Sequence, residues 1–246
     1  MFSAVNFIDT GGLRQRLDRL FGGLWPRHCL VCGETSEMGH TPGYDLCLSC
    51  RAGLPWNHST CLQCALPLPV TVAACGHCLR QPPPLTVAHA AFRYEAPLDR
   101  LLPRLKFHDD LAAARLLGWL MAEALGSAEP PDALIPLPLH RKRLRSRGFD
   151  QTLELAKPLA RALGIPMLDD VLVRIRETAP QSRLDAPARR RNLRRAFAVR
   201  PSVSLPAHVA LIDDVMTTGA TLHAAADALL RAGVTRVDAW VCARVA

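Results

Sequence analysis

The stretch Val209-Ala210-Leu211-Ile212-Asp213-Asp214-Val215-Met216-Thr217-Thr218-Gly219-Ala220-Thr221 carries two adjacent carboxylates, then hydroxyls and a glycine. Its apolar opening has the length of a buried strand, and the small residues after the acids stand where a helix must begin. The first N–H groups of a helix have no intrahelical partner and lie at the positive end of its dipole, so a phosphate can settle there. Thr217, Thr218 and Thr221 add hydroxyl donors, and Gly219 lets the backbone come close to a ligand. Asp213 and Asp214 are placed to accept hydrogen bonds from a sugar diol or to hold the water shell of Mg²⁺. The ligand so described has an anionic end and a vicinal diol. The same residue types also suit an ordinary strand-to-helix turn in which Asp214 or Thr217 only caps the helix.

A second chemistry lies upstream. Of nine cysteines, eight form pairs of one spacing: Cys29 and Cys32, Cys47 and Cys50, Cys61 and Cys64, Cys75 and Cys78. Two intervening residues let both thiolates of a tight knuckle face one ion, and two knuckles complete a tetrahedral Zn²⁺ site, so four knuckles imply two zinc ions. Sequential pairing closes the shortest loops, while nested and interleaved pairings satisfy the same spacing. Disulfides fit poorly with the cytosol, a redox Cys-x-x-Cys fits poorly four times over in a segment with no βαβ pattern, and an iron–sulfur cluster is a weaker competitor. His28 and His77 are bystanders beside a full set of cysteines. With so few apolar residues, this segment could hardly fold without its metal, which is therefore structural first. Trp56 and Arg51 are read as packing residues, with a nucleic-acid contact as the sharper alternative.

Basic residues are the third signal. The net charge of +8 favours polyanionic partners, small or large. Arg141, Lys142, Arg143, Arg145 and Arg147 crowd the mouth of a strand-to-helix loop after Pro138-Leu139-His140. Their mutual repulsion needs an anion to offset it, and pyrophosphate is the small-molecule candidate. From 171 to 199, strand-like ends bracket a polar, basic middle that includes Arg174 and Arg190, which reads as a mobile flap. A basic loop that binds nucleic acid is the rival.

The elements that must hold these groups follow from periodicity. A short amphipathic helix is expected within 12–24, with Leu13, Leu17, Leu20 and Leu24 on one face. Strands are expected over 88–94, 133–137 and 236–243, and helices over 96–107, 111–125, 151–163 and 220–231. Asp150 can cap the helix from Gln151, and Cys242 reads as a buried thiol. The expected parts are an N-terminal helix over 1–25, a ribbon segment over 26–81, a proline-rich linker over 82–86 and an α/β domain over 87–246. No apolar run approaches the ~20 residues of a membrane span, and the first 27 residues lack the order of a signal peptide, so a cytoplasmic protein is expected.

The string from Val209 to Thr221 resembles the signature of the type I phosphoribosyltransferases, in which the acids bind the ribose hydroxyls of phosphoribosyl pyrophosphate and the loop holds its 5′-phosphate. Further motifs are Pro136-Leu137-Pro138-Leu139-His140, Arg147-Gly148-Phe149-Asp150-Gln151, Thr178-x-x-Gln181 and Arg190-x-Asn192. Together with the paired knuckles, these make nearly the whole chain resemble the ComF family, which includes the GntX-type DNA-utilisation proteins. Asp150 departs from that family's asparagine, keeping a capping oxygen and losing an amide donor.

The resemblance implies a double zinc ribbon ahead of a type I phosphoribosyltransferase-like parallel sheet with helices on both faces. It also implies a part in DNA uptake during natural transformation or in the use of external DNA. Carried onto this chain, Asp213 and Asp214 would act at the reacting sugar and 217–221, including Ala220, would hold its phosphate. Mg²⁺ would accompany the pyrophosphate. Pro138, Leu139, Arg141, Arg143, Arg147, Arg174 and Arg190 would surround the leaving group. The acceptor is not legible: its hood would come from 88–110, which holds no recognisable base-reading set. The competing reading is a non-catalytic protein that binds single-stranded DNA or an uptake motor and keeps the sugar-phosphate cradle for sensing or stability.

Overall fold

The structure, a computed structural model, describes residues 28–35, 45–107, 110–176, 196–201 and 203–246. Its contacts part the chain into two units between Gly53 and Leu54. In the first unit, Cys47 caps the short helix α1, Leu48–Ala52, by accepting the Cys50 N–H on its sulfur at 3.4 Å. The helix expected within 12–24 lies outside the described residues.

The second unit opens with the other two knuckles, which hold helix α2 (Gly76–Arg80). Strand β1 (Ala88–Arg93), helices α3 (Leu98–Phe107) and α4 (Leu111–Leu125), and strand β2 (Ala133–Pro136) follow. Helices α5 (Arg141–Arg147) and α6 (Gln151–Leu163) precede a small antiparallel pair, β3 (Leu172–Arg174) with β4 (Phe197–Val199). The unit closes with β5 (His208–Met216), α7 (Ala220–Arg231) and β6 (Arg236–Arg244). The main sheet is wholly parallel, in the order β1-β6-β5-β2. Parallel neighbours need crossovers, and here helices supply them.

Val209, Leu211, Val237, Ala239 and Val241 pack with Leu222, Ala225 and Leu229 of α7 and with Cys61, Cys64 and Cys78. Alternation along a strand therefore turns Ala210, Ile212 and Trp240 to the other face, which α4 and α6 cover. The architecture is the expected α/β one, a parallel sheet with helices on both faces, in a chain whose earlier residues carry two cysteine clusters. The second knuckle pair contributes to the core of that sheet, because Cys61, Cys64, Ala65 and Cys78, followed by Leu85, are buried in the same apolar cluster as β5, β6 and α7.

Both outer strands carry main-chain partners. On β1, the Ala88 N–H donates to Leu62 O, the Arg93 N–H to Pro55 O, and Ala91 O accepts from Asn57. The Trp56 ring lies 4.7 Å from Phe92, so this tryptophan packs as expected. On β2, Leu134 bridges Met167, donating to Pro166 O and accepting from Leu168. At the amino end of the strands, the buried carboxylate of Asp238 accepts from the Val87 N–H, Arg236 and His208 Nε2, the last at 2.8 Å, and so keeps no idle lone pair in the core.

One sequence expectation needs correction. The basic run after β2 is not an irregular loop but helix α5, with His140 as its N-cap and Gly148 in the left-handed region at φ 84° as its stop. Arginine, lysine and leucine all favour helix, and the run lacks the apolar face that would have revealed it.

Helices α4 and α6 approach most closely at Gly118, where an added Cβ would stand 2.4 Å from Pro158 Cγ and 2.6 Å from the Leu155 carbonyl oxygen. Pro158 sits inside α6 and gives up a helical hydrogen bond there. Gly118→Ala should therefore overpack a backbone contact and cost about 1–3 kcal/mol. A lower urea midpoint at unchanged zinc content would verify this, whereas an unchanged midpoint would show that the two helices can separate freely.

Candidate functional site

Strand β5 outlasts its neighbour on one side. Its pairing with β6 continues through Met216, opposite Arg244, but β2 stops at Pro136, opposite Ile212. The Leu137 N–H still reaches Ile212 O at 3.0 Å. The next donor in that alternating series is Leu139, and its N–H goes instead to Asp150 Oδ2 at 2.9 Å. Asp213 and Asp214 lie just beyond the point where the ladder is broken off. As successive strand residues they address opposite faces of the sheet. Asp214 is buried, Asp213 half-buried, and Asp213 Oδ1 accepts the Asp214 N–H at 2.9 Å.

Asp150 is what directs the chain here. Its Oδ1 accepts the Thr152 and Leu153 N–H groups, capping α6, while Oδ2 holds the 138–140 turn. Both oxygens act as acceptors, so an amide in this position would turn a donor toward one of those N–H groups. Burial pushes the Asp150 carboxyl above its ordinary range, the three backbone donors oppose that, and Asp214 adds to it.

Arginines answer the two aspartates separately. Burial lowers the proton affinity of Arg147 and the nearby Arg143 adds to this, while the fields of Asp214 and Asp150 oppose it. Burial and Arg143 act in the same way on Arg174, opposed by Asp213. The Arg174 guanidinium lies 5.5 Å over the Phe197 ring, a stacking contact that steadies it at the mouth of the β3–β4 pair. Arg143 thus acts on both of the other arginines, and Arg147 and Arg174 lie in the fields of Asp214 and Asp213 respectively.

After Met216 only Thr217, Thr218 and Gly219 separate β5 from α7. Gly219 is the N-cap at φ 75°, where an added Cβ would meet Met216 Cε at 2.7 Å and His223 Nε2 at 2.8 Å. Glycine is therefore favoured by conformation, and a larger residue would also have to displace the ends of the Met216 and His223 side chains. Thr218 Oγ1 accepts the Ala220 N–H at 3.4 Å, and Thr217 and Thr218 are exposed. Of the residues expected to form the site, Asp213, Asp214, Thr217, Thr218, Gly219, Ala220 and Thr221 are contiguous. Pro138 and Leu139 are half-buried on the turn that breaks the ladder. Arg141 is exposed at the start of α5, and Arg190 lies outside the described residues.

One residue escaped the sequence reading. Arg244 closes β6, and its Nε donates to Cys64 O at 2.8 Å while Nη1 donates to Thr217 O at 2.7 Å, Met216 O at 3.3 Å and Val245 O. Its only signal was a charge ending an apolar strand.

The cysteines assemble sequentially. Cys29, Cys32, Cys47 and Cys50 form one cluster and Cys61, Cys64, Cys75 and Cys78 the other, with the sulfurs of each within 4.8 Å of one another. Cys61 and Cys78 lie 3.9 Å apart, Cys64 and Cys75 3.8 Å, and Cys32 and Cys47 4.0 Å. Zn–S bonds of about 2.3 Å in a tetrahedron require S···S edges of roughly 3.8 Å, so both sets fit zinc. Burial raises Cys29, but N–H donors from Cys32, Cys47 and Val31 outweigh it and bring the thiol to about 6. Backbone and thiol donors likewise overcome burial at Cys75, to about 7. Burial and neighbouring sulfurs push Cys50 and Cys78 upward. Four adjacent thiolates can persist only around a cation.

A parallel sheet in which β5 runs through two acids to a helix N-terminus, in a chain that also carries two tetrathiolate sets, defines an α/β protein with a double zinc ribbon. Residues 20–79 match the family model described as a double zinc ribbon domain. The chain is 36% identical over 225 residues to DNA utilization protein YhgH of Salmonella typhimurium, which covers 89% of this chain and 97% of that relative. It is 36% identical over 177 residues to Competence protein F of Haemophilus influenzae, covering 69% and 77% of the two chains. Among solved structures, glutamine phosphoribosylpyrophosphate amidotransferase from B. subtilis, complexed with ADP and GMP, is similar at a TM-score of 0.35 and 23% identity, over 51% of this chain and 25% of that one. The chain belongs to the ComF family.

Cys32→Ser should lower the bound zinc from two ions per chain to one, with little change in the sheet. Because zinc needs deprotonated thiols, acid competes with the metal and the ions should leave progressively as pH falls. Native mass spectrometry across pH 8 to 4 measures both, and two ions retained at pH 4 would contradict the assignment.

Proposed function

We propose that the site binds phosphoribosyl pyrophosphate with Mg²⁺ and serves DNA uptake or the use of external DNA. The observation that carries this reading is the placement of the Asp213–Asp214 pair and the 217–221 loop together at the carboxyl end of a parallel strand, bordered by Arg143, Arg147 and Arg174. Asp213 and Asp214 accept the ribose hydroxyls. The backbone N–H groups and hydroxyls of 217–221 take the 5′-phosphate at the positive end of α7. Arg147 and Arg174 face the pyrophosphate, with Pro138 and Leu139 supplying the turn beneath it. Oxygen donors suit Mg²⁺, and the two aspartates would hold its waters, the ion offsetting charge on the pyrophosphate when bound.

In a transferase reaction the bond from the anomeric carbon to pyrophosphate loosens and positive charge gathers on the sugar. The aspartates stabilise that charge and the arginines hold the leaving group, so the protein contributes position and electrostatics rather than a covalent step. The relatives named for competence and DNA utilisation support the cellular setting. Reduced thiols in eight metal-ligand positions favour the cytoplasm. Residues 26–81 supply the four zinc knuckles.

Titration of the zinc-replete protein with phosphoribosyl pyrophosphate and Mg²⁺ by calorimetry tests the reading. Asp213→Ala and Asp214→Ala should each weaken binding about 10- to 100-fold, the loss of charge-assisted hydrogen bonds, with the fold intact. Equal affinity in wild type and variants would reject the site. A screen of nucleobases for pyrophosphate release then decides whether turnover accompanies binding.

A second reading has its own observation. Lys142 and Arg145 are both exposed on α5, a basic helix surface. A surface of this kind can follow a single-stranded DNA backbone without catalysis. Neutralising both residues should reduce the salt slope of single-stranded DNA binding by about 1.4. A slope that stays the same would place the DNA surface elsewhere.

A further inference from the structure

The second tetrathiolate centre and the loop between β5 and α7 share one side chain. Arg244 donates through Nε to the carbonyl of Cys64, a metal ligand, and through Nη1 to the carbonyls of Met216 and Thr217. Its guanidinium is planar and rigid, so the two sets of carbonyls are held at a fixed separation. On the metal side the anchor is itself constrained. Ala65 follows Cys64 at φ 54°, its N–H donates to Cys61 O at 2.8 Å, and its carbonyl accepts from Asn57 Nδ2 at 3.0 Å. The knuckle that presents Cys64 Sγ to the ion therefore also fixes the Cys64 carbonyl.

On the loop side the consequence follows from the trans peptide. Within one peptide plane the C=O and N–H point in opposite directions. Drawing Met216 O and Thr217 O toward Arg244 turns the Thr217 and Thr218 N–H groups away from it. Those are loop donors that a phosphate at the start of α7 would use.

We infer that Arg244 is a positioning residue that couples the metal centre of Cys61, Cys64, Cys75 and Cys78 to the loop 216–218, so that filling this centre sets the orientation of the N–H groups offered to a phosphate. The ligand half of the inference rests on the proposed function; the coupling half does not. The second zinc is then part of the cradle's framework rather than the property of a separate module. Loss of that metal, by chelation or by oxidation of its thiols, releases the Cys64 carbonyl and with it the orientation of the loop.

The test uses the full chain with both zinc ions bound, in wild type, Arg244→Gln and Arg244→Lys. The lysine variant keeps the charge and loses the fork. Zinc content by native mass spectrometry should stay at two in both variants, while ¹⁵N relaxation at Thr217 and Thr218 falls from rigid order parameters of about 0.85 to below about 0.6. Cys75→Ser, which empties the second centre without touching the Cys64 carbonyl, should loosen the same two amides. With ribose 5-phosphate as the probe, Arg244→Gln should bind about tenfold more weakly, as expected for one misdirected hydrogen bond of about 1.4 kcal/mol. Order parameters unchanged in Arg244→Gln or in Cys75→Ser would overturn the coupling. If wild type binds neither ribose 5-phosphate nor phosphoribosyl pyrophosphate, the functional reading fails, and the relaxation data still decide the coupling.

Discussion

One backbone N–H decides where the sheet opens. Up to Leu137, β2 gives its donors to β5, and the following donor in the series, Leu139, finds the Asp150 carboxylate instead of the Asp214 carbonyl. A charged acceptor makes a stronger hydrogen bond than a neutral carbonyl, so the diversion is favourable even though burial raises the cost of the charge. The same carboxylate caps α6, and the turn after β2 and the helix after α5 are therefore fixed to each other. Everything chemical stands in the opening this creates. The acids lie on a strand supported on only one side, the arginines border it, and the short loop to α7 closes it. The open ends of parallel sheets are general ligand sites because strand ends and helix starts meet there with unspent donors.

The metal centres address a different problem. Residues 45–85 hold few large apolar side chains, and chain entropy would prevail over so small a core. Tetrathiolate clusters bind together segments that burial alone could not. In the second unit the buried sulfurs also pack with α7 and the sheet, so the metal-bound knuckles and the hydrophobic core form one cluster. Arg244 extends that continuity to the polar end of the sheet.

Much of this could be read before any coordinates, and the reasons are physical. Helices α4 and α7 match the expected spans because their apolar positions repeat at helical spacing between clear stops. The cysteine spacing led directly to two tetrathiolate sets, with the sequential pairing found in the structure. Helix α5 was missed because charge obscures periodicity, and Trp56 could be judged only once Phe92 was seen beside it. Asp150 looked like a cap and is one, but its second oxygen acts on a residue eleven positions upstream, which no local pattern encodes. Arg244 is the extreme case: its distant partners come from two separate parts of the chain, and only the folded register brings Cys64, Met216 and Thr217 to it.

The covered margins of the sheet have a consequence for assembly. Exposed outer strands invite main-chain zippering with another polypeptide, a common route to both specific complexes and aggregation. Here residues 55–62 run along β1, and 166–168 along β2. A partner of the main sheet is therefore expected to dock through side chains and charge. Its binding should be sensitive to salt and to surface substitution, and indifferent to peptides designed to add a strand.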